Sequence, residues 1–160
     1  MNSTSFEVAR QKLKNYLENL ERRNIKRIQK KIHKNFSPAT VEELFQKRPL
    51  FSLVGVKGRV GKTYIDKEGF KIIPVTSTDG KRKVLAKLDP EDEKHLMEKL
   101  GKLGKDAQIN IYGQLIESGK SLMLSPSWAV EYLENFVILT NEVPSLNYFL
   151  KLVQRRKTIP

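Results

Sequence analysis

Between Gly58 and Thr63 the chain reads Gly-Arg-Val-Gly-Lys-Thr, a segment of the type whose backbone N–H groups and lysine can cradle a phosphate. A phosphate loop of that class needs another glycine five positions before Gly61, and position 56 is Val. The loop must also open a helix, whereas Tyr64-Ile65 and the turn ending at Gly69 predict extended chain. The segment is read as strand. Other reactive types are sparse. Cysteine is absent, which excludes thiol catalysis, disulfides and cysteine-ligated metals, and two histidines, His33 and His95, make a zinc site unexpected. His95, beside Met97, is expected at the surface. Asp66, Glu68 and Asp79 sit in turn clusters and are expected to be solvated rather than to hold Mg²⁺. With no nucleophile–base pair in view, the expectation is a non-catalytic protein that needs no cofactor and no metal.

What the chain does carry is positive charge. The 30 Lys and Arg against 18 Asp and Glu give a net +12 over 160 residues. Such a balance favours a polyanionic partner, nucleic acid first. The excess is uneven: residues 1–49 hold 12 basic and 5 acidic side chains, 50–133 hold 14 and 11, and 134–160 hold 4 and 2. No apolar run reaches the roughly 18 residues a membrane helix needs, and the Met1-Asn-Ser-Thr-Ser-Phe start lacks a signal-peptide pattern. A soluble, intracellular chain, cytoplasmic and without a membrane partner, is the expectation.

The elements that must position these groups fall into three stretches. Residues 1–49 form a basic helical extension. Thr4 with Glu7 is a capping-box start, and Val8, Leu13, Tyr16, Leu17, Leu20, Ile25, Ile28 and Ile32 then recur mostly at three- and four-residue spacings. The other faces hold Arg22, Arg23, Lys26 and Lys30 among ten cations, a phosphate-contacting arm or a solvated face over a packing stripe. A helix of about 30 residues is about 45 Å long, so it must overhang, pair with another helix or a second copy, or break near Arg22-Arg23-Asn24. Thr40 with Glu43 caps a short helix to about Lys47 in a connector.

Residues 50–133 predict three strands, a helix and two strands. The strands are 51–65, 70–77 and 81–88, separated by Gly-ended turns, then 107–116 and 121–133 meeting at Ser118-Gly119. Asp89-Pro90 starts the helix, which ends by Gly104. Pro74 marks an edge or bulge, and Trp128, Val130 and Tyr132 share a face, with the aromatic pair read as a barrel plug. Residues 134–160 end in a helix from about Ser145, carried by Leu146, Phe149, Leu150 and Val153, and a basic end at Arg155, Arg156 and Lys157.

This order is that of an α+β, five-stranded barrel with its helix between strands three and four, flanked by a long N-terminal and a short C-terminal helix. Val56-Lys57-Gly58-Arg59-Val60, the turn at Gly69 into Phe70-Lys71-Ile72-Ile73, the helix at Pro90 and Ile109-Asn110-Ile111-Tyr112-Gly113-Gln114-Leu115 before a glycine hairpin are the carrying features. Over about half the chain they resemble the oligonucleotide/oligosaccharide-binding (OB) fold of single-stranded-DNA-binding and anticodon-binding domains. The resemblance implies a groove across strands two and three, rimmed by the loops between strands one and two and between four and five. On this chain it implies Lys57, Arg59, Lys62 and Tyr64 on the first strand and loop. Phe70, Ile72, Lys83 and Lys87 would form the floor, with Tyr112 and Lys120 at the far rim. Cations would contact phosphates and Tyr64, Phe70 or Tyr112 would stack bases. Single-stranded DNA or RNA is the implied partner. A protein–protein adaptor within a nucleic-acid-processing complex is the alternative.

Overall fold

The structure, a computed structural model, describes residues 3–104 and 106–139; the side chains of residues 3–7, 10, 13, 14, 16–22 and 126 lie outside that set. Helix α1 (Ser3–Asn35) leads into strand β1 (Ser37–Thr40) and helix α2 (Val41–Lys47). Strands β2 (Leu53–Val60), β3 (Tyr64–Ile65), β4 (Lys71–Thr76) and β5 (Lys83–Leu88) follow, then helix α3 (Pro90–Leu100). Strands β6 (Gln108–Ser118), β7 (Ser121–Tyr132) and β8 (Asn135–Ile138) complete the described chain.

Five of the strands close on themselves. β2 pairs antiparallel with β4, β4 with β5, and β6 with both β2 and β7, while β5 and β7 pair in parallel and shut the ring. A five-stranded ring in that order, with a helix between its third and fourth strands, is an OB-type barrel. Alternation along the strands fills it. Val54, Val56 and Val60 of β2, Ile73 and Val75 of β4, Val84, Ala86 and Leu88 of β5, and Ile109, Ile111 and Leu115 of β6 make one interior cluster with Leu122, Leu124 and Val130 of β7. Val41 and Leu44 of α2 and Leu96 of α3 also join it, so the two short helices close opposite ends. Gly58 fits under α2 because a Cβ there would lie 2.6 Å from the Thr76 carbonyl oxygen and from Val75.

Several expectations need correction. The connector contains a strand: Ser37–Thr40 runs parallel to Val54–Lys57 and extends the sheet where β2 has no other neighbour on that side. Four residues with a proline gave too little periodicity to show it. The predicted long first strand is two, because the chain leaves the ladder at Gly61-Lys62-Thr63 and resumes at Tyr64. α3 stops at Gly101, not Gly104, where a positive φ of 72° closes the helix through a bond to the Met97 carbonyl. α1 includes Ser3, so Thr4 lies inside it, and it runs without a break through Arg22-Arg23-Asn24. β8, unforeseen, pairs with the far half of β7. The helix expected from about Ser145 lies outside the described residues.

Trp128 is the sharpest difference. The register of β6 and β7 shifts at Tyr112–Gly113 and again before Leu115, leaving Trp128 without an opposite partner. The bulge turns its indole away from Val130 and out of the barrel. It is fully buried in a second cluster with Phe36, Tyr112, Ala129 and Phe136, beneath Ile25, Ile28 and Ile32 of α1. Trp128 therefore seats the helix and plugs nothing. At about 50 Å, α1 is longer than this seat, and Val8, near its start, is half exposed.

Candidate nucleic-acid interface

The surface to test is the outer face of β3, β4 and β5. The Gly58–Thr63 segment that resembles a phosphate loop runs from β2 toward β3 and opens no helix. Residues alternating with the interior set point outward: Ile72, Pro74 and Thr76 on β4, and Lys83, Leu85 and Lys87 on β5. Register fixes which of them are neighbours. Tyr64, Ile72 and Lys87 form one row across β3, β4 and β5. Gln108, Arg59, Thr76 and Lys83 form another across β6, β2, β4 and β5, with Pro74 and Leu85 between the rows. At about 4.8 Å per strand, Arg59 and Lys83 stand roughly 10 Å apart.

The first row is the aromatic end. The Lys87 ammonium lies 4.1 Å from the centre of the Phe70 ring and 3.6 Å from Glu68 Oε2. Tyr64 is exposed next to it, and its neighbour Ile65 is exposed as well. The turn that presents them is built by Asp66, whose Oδ1 accepts from the backbone N–H groups of Glu68 and Phe70.

The second row is the basic end. Arg59 donates to the Thr78 carbonyl at 2.5 Å, which draws its guanidinium over the β4–β5 turn. Lys83 is exposed beside it, and Val84 pairs with Leu122, so the exposed Lys120 in the β6–β7 turn reaches the same end. Lys57 and Arg59 line a cavity of about 290 Å³ with Thr40, Glu42, Thr76 and Gln108. The turn itself is held by Asp79, which accepts from Ser77 Oγ and from the Lys81 N–H. Those bonds, the Ser77 hydroxyl first, hold its carboxyl below the usual carboxylate range. Asp66, Glu68 and Asp79 are thus occupied in turns and one ion pair, and among the described residues no group of three His, Asp or Glu is placed to hold a metal. His95 is half-buried on α3, and Lys62 is exposed between β2 and β3.

Two groups of predicted site residues lie elsewhere. Tyr112 is not at a rim. Its ring is 8% exposed beneath α1, with ring centres 5.8 Å from His33 and 5.9 Å from both Phe36 and Phe136. Burial first, then the Glu131 charge and a hydrogen bond to it, pushes the phenol up to about 12. Tyr112 cannot stack a base in this position. Alternation showed only that it points outward; the helix that covers it is nearly eighty residues away in sequence. Glu131 also sits 3.0 Å from His33 Nε2 and 3.4 Å from Gln29 Nε2, which fastens the end of α1.

The helix cations form a separate surface. Arg23, Lys26 and Lys30 are exposed, while the Arg22 side chain lies outside the described residues. The helix that carries them is docked on β6, β7 and β8 through Tyr112, Trp128, Phe136 and Ile138, not on β4 and β5. One strand of nucleic acid lying on the β3–β5 face therefore does not meet them directly. Among the described residues, no helix is long and apolar enough to cross a membrane.

No protein-family model matches the chain, and no curated protein matches it by sequence. Several solved structures overlap it. An OBody, AM1L10, bound to hen egg-white lysozyme, is 21% identical with a TM-score of 0.43, covering 55% of this chain and 85% of that one. The hypothetical protein ygiW from E. coli is 13% identical, with a TM-score of 0.45 and coverages of 61% and 90%. Apo TiaS, a tRNAIle2 agmatidine synthetase, is 19% identical, with a TM-score of 0.40 and coverages of 61% and 21%. Overlaps this loose carry no weight for function. The OB-type assignment rests on the strand order.

Proposed function

We propose that this chain is a non-catalytic, soluble cytoplasmic protein that binds single-stranded DNA or RNA along the outer face of β3, β4 and β5. One observation carries the reading: the register puts Tyr64 and Lys87, whose ammonium lies over the Phe70 ring, at one end of a single face and Arg59 and Lys83 at the other. The exposed Tyr64 ring suits an unstacked base, and the cations suit the phosphates beside it. Few aromatics mean that backbone contacts dominate, so binding is sequence-tolerant and weakens steeply with salt. Filter binding of single- and double-stranded DNA and RNA at two salt concentrations tests this, with Arg59→Glu and Lys83→Glu as variants. Single strands are expected to bind tightest and both variants to bind more weakly. A preference for duplex, or variants that bind as the parent does, sinks the reading.

A second reading has an observation of its own. Among the described residues, the apolar stripe of α1 is seated through Ile25, Ile28 and Ile32, whereas Val8 is half exposed. A protein partner or a second copy at Val8, joining this chain to a nucleic-acid-processing assembly, would cover it. Light scattering after size exclusion separates the two: an oligomer without nucleic-acid affinity favours the adaptor.

A further inference from the structure

On the basis of the single-strand binding proposed above, we infer that the cavity at the basic end of the β3–β5 face seats the terminal phosphate of the bound strand. β6 holds one edge of β2 from Leu53 to Arg59, so β1 and β4 share the other. β1 leaves that edge after Thr40, opposite Lys57, and β4 takes it at Thr76, opposite Arg59. The handover falls at Gly58, and around it opens the cavity of about 290 Å³. Roughly ten waters fill such a volume in the liquid, so it has room for a phosphate and part of its sugar.

The chemistry of the walls suits an anion with several oxygens. None of the lining residues is aromatic, so a base would find no ring to stack on. Arg59 uses one of its five N–H groups on the Thr78 carbonyl, which fixes the guanidinium and leaves the others. Among the described residues, no bond engages the Lys57 ammonium, the Thr78 hydroxyl or the Gln108 amide. The one lining carboxylate, Glu42, accepts from the Thr78 N–H at 3.0 Å. Two cations against one carboxylate leave the cavity net positive. A terminal phosphate carries about −1.5 to −2 near pH 7 and three strong acceptor oxygens, whereas each internal phosphate carries about −1. The cavity therefore favours the end of a strand over its middle.

The fold leads a strand to this place. The row of Tyr64, Ile72 and Lys87 and the row of Arg59, Thr76 and Lys83 lie four positions apart on β4, about 13 Å. Just past the second row β4 ends at Thr76, and β5 begins at Lys83. The turn between them is fastened to α2 twice, by Glu42 on the Thr78 N–H and by the Arg82 guanidinium, 5.4 Å from the centre of the Phe45 ring. A strand followed along the face from the Tyr64 row meets this junction, with the cavity at its foot.

Four oligonucleotides of one sequence, in whichever of DNA and RNA binds tighter, test this on the full chain: a 5′-phosphorylated strand, a 3′-phosphorylated strand, a strand with hydroxyl ends and a closed circle. At least one phosphorylated strand is expected to bind about tenfold tighter than the hydroxyl-ended one, and the circle no tighter than the latter. Lys57→Ala is expected to bring that ratio to within about twofold of one. Lys83→Ala, in the same row but outside the cavity, is expected to weaken every linear probe and to keep the ratio. Three linear probes that bind alike, or a circle as tight as the phosphorylated strand, overturn the end-binding and leave the single-strand reading standing. So does a ratio that Lys57→Ala leaves unchanged, or that moves alike in the two variants. A mononucleotide with the same phosphate that binds as tightly as the phosphorylated strand overturns it in favour of a free nucleotide. A chain that binds none of the oligonucleotides overturns both readings.

Discussion

The Tyr112 ring lies directly over Gly55: a Cβ at position 55 would come within 2.6 Å of Cε1 and 2.8 Å of Cδ1. The two residues face each other across β2 and β6, and the absent side chain lets the ring lie flat under α1. Gly55→Ala must push Tyr112 toward His33, Phe36 and Phe136. We expect a loss of roughly 1–3 kcal/mol, the usual cost of overpacking, seen as a lower midpoint in denaturant. An unchanged midpoint would show that the seat of α1 is loose.

The same ring gives a pH dependence with a definite sign. Tyr112 titrates near 12 in the folded chain against 10.0 for an ordinary tyrosine. The folded state holds its proton where the unfolded state has lost it, so the associated stability is complete below pH 10 and is lost between 10 and 12. At pH 11 the loss is about 1 kcal/mol by linkage. Tyr112→Phe is expected to remove that increment of alkaline sensitivity, read as the difference between the two chains' unfolding free energies at pH 9 and pH 11.

Tyr64 carries the stacking prediction. It is exposed, and its side chain lies in the row of Ile72 and Lys87 rather than in the core. Tyr64→Ala is expected to weaken single-strand binding by about 1–3 kcal/mol with little change in melting temperature. A loss of stability without a loss of affinity would place the ring in packing instead.

The helix cations yield the opposite expectation. Arg23, Lys26 and Lys30 stand on an element docked over β6–β8, away from the face of Arg59 and Lys83. Replacing all three with Ala is expected to slow association at low salt while changing affinity by no more than about threefold near 150 mM, where the Debye length is about 8 Å. A tenfold loss would bring α1 into direct contact with the ligand.

Local signals were legible and long-range ones were not. The Thr40–Glu43 capping box, the Asp89-Pro90 helix start and the alternation of Val54, Val56, Val84, Ala86 and Leu88 each name their own element, and the structure has them. Alternation also put Lys83 and Lys87 on the outer face. It could not say what covers an outer face. That is why Tyr112 read as a rim residue and Trp128 as a plug, when a bulge and a helix from the other end of the chain bury both on the outside. β1 and β8, four residues each, are strands only because β2 and β7 offer them an edge.

The salt dependence of single-strand binding tests the central claim most directly. Log affinity against log salt is expected to fall steeply for the full chain. For Arg59→Ala/Lys83→Ala the slope is expected to be shallower by about 1.4, roughly 0.7 for each phosphate that is no longer neutralised. A flat plot for the parent chain, or the same slope and affinity in the double variant, would contradict the account.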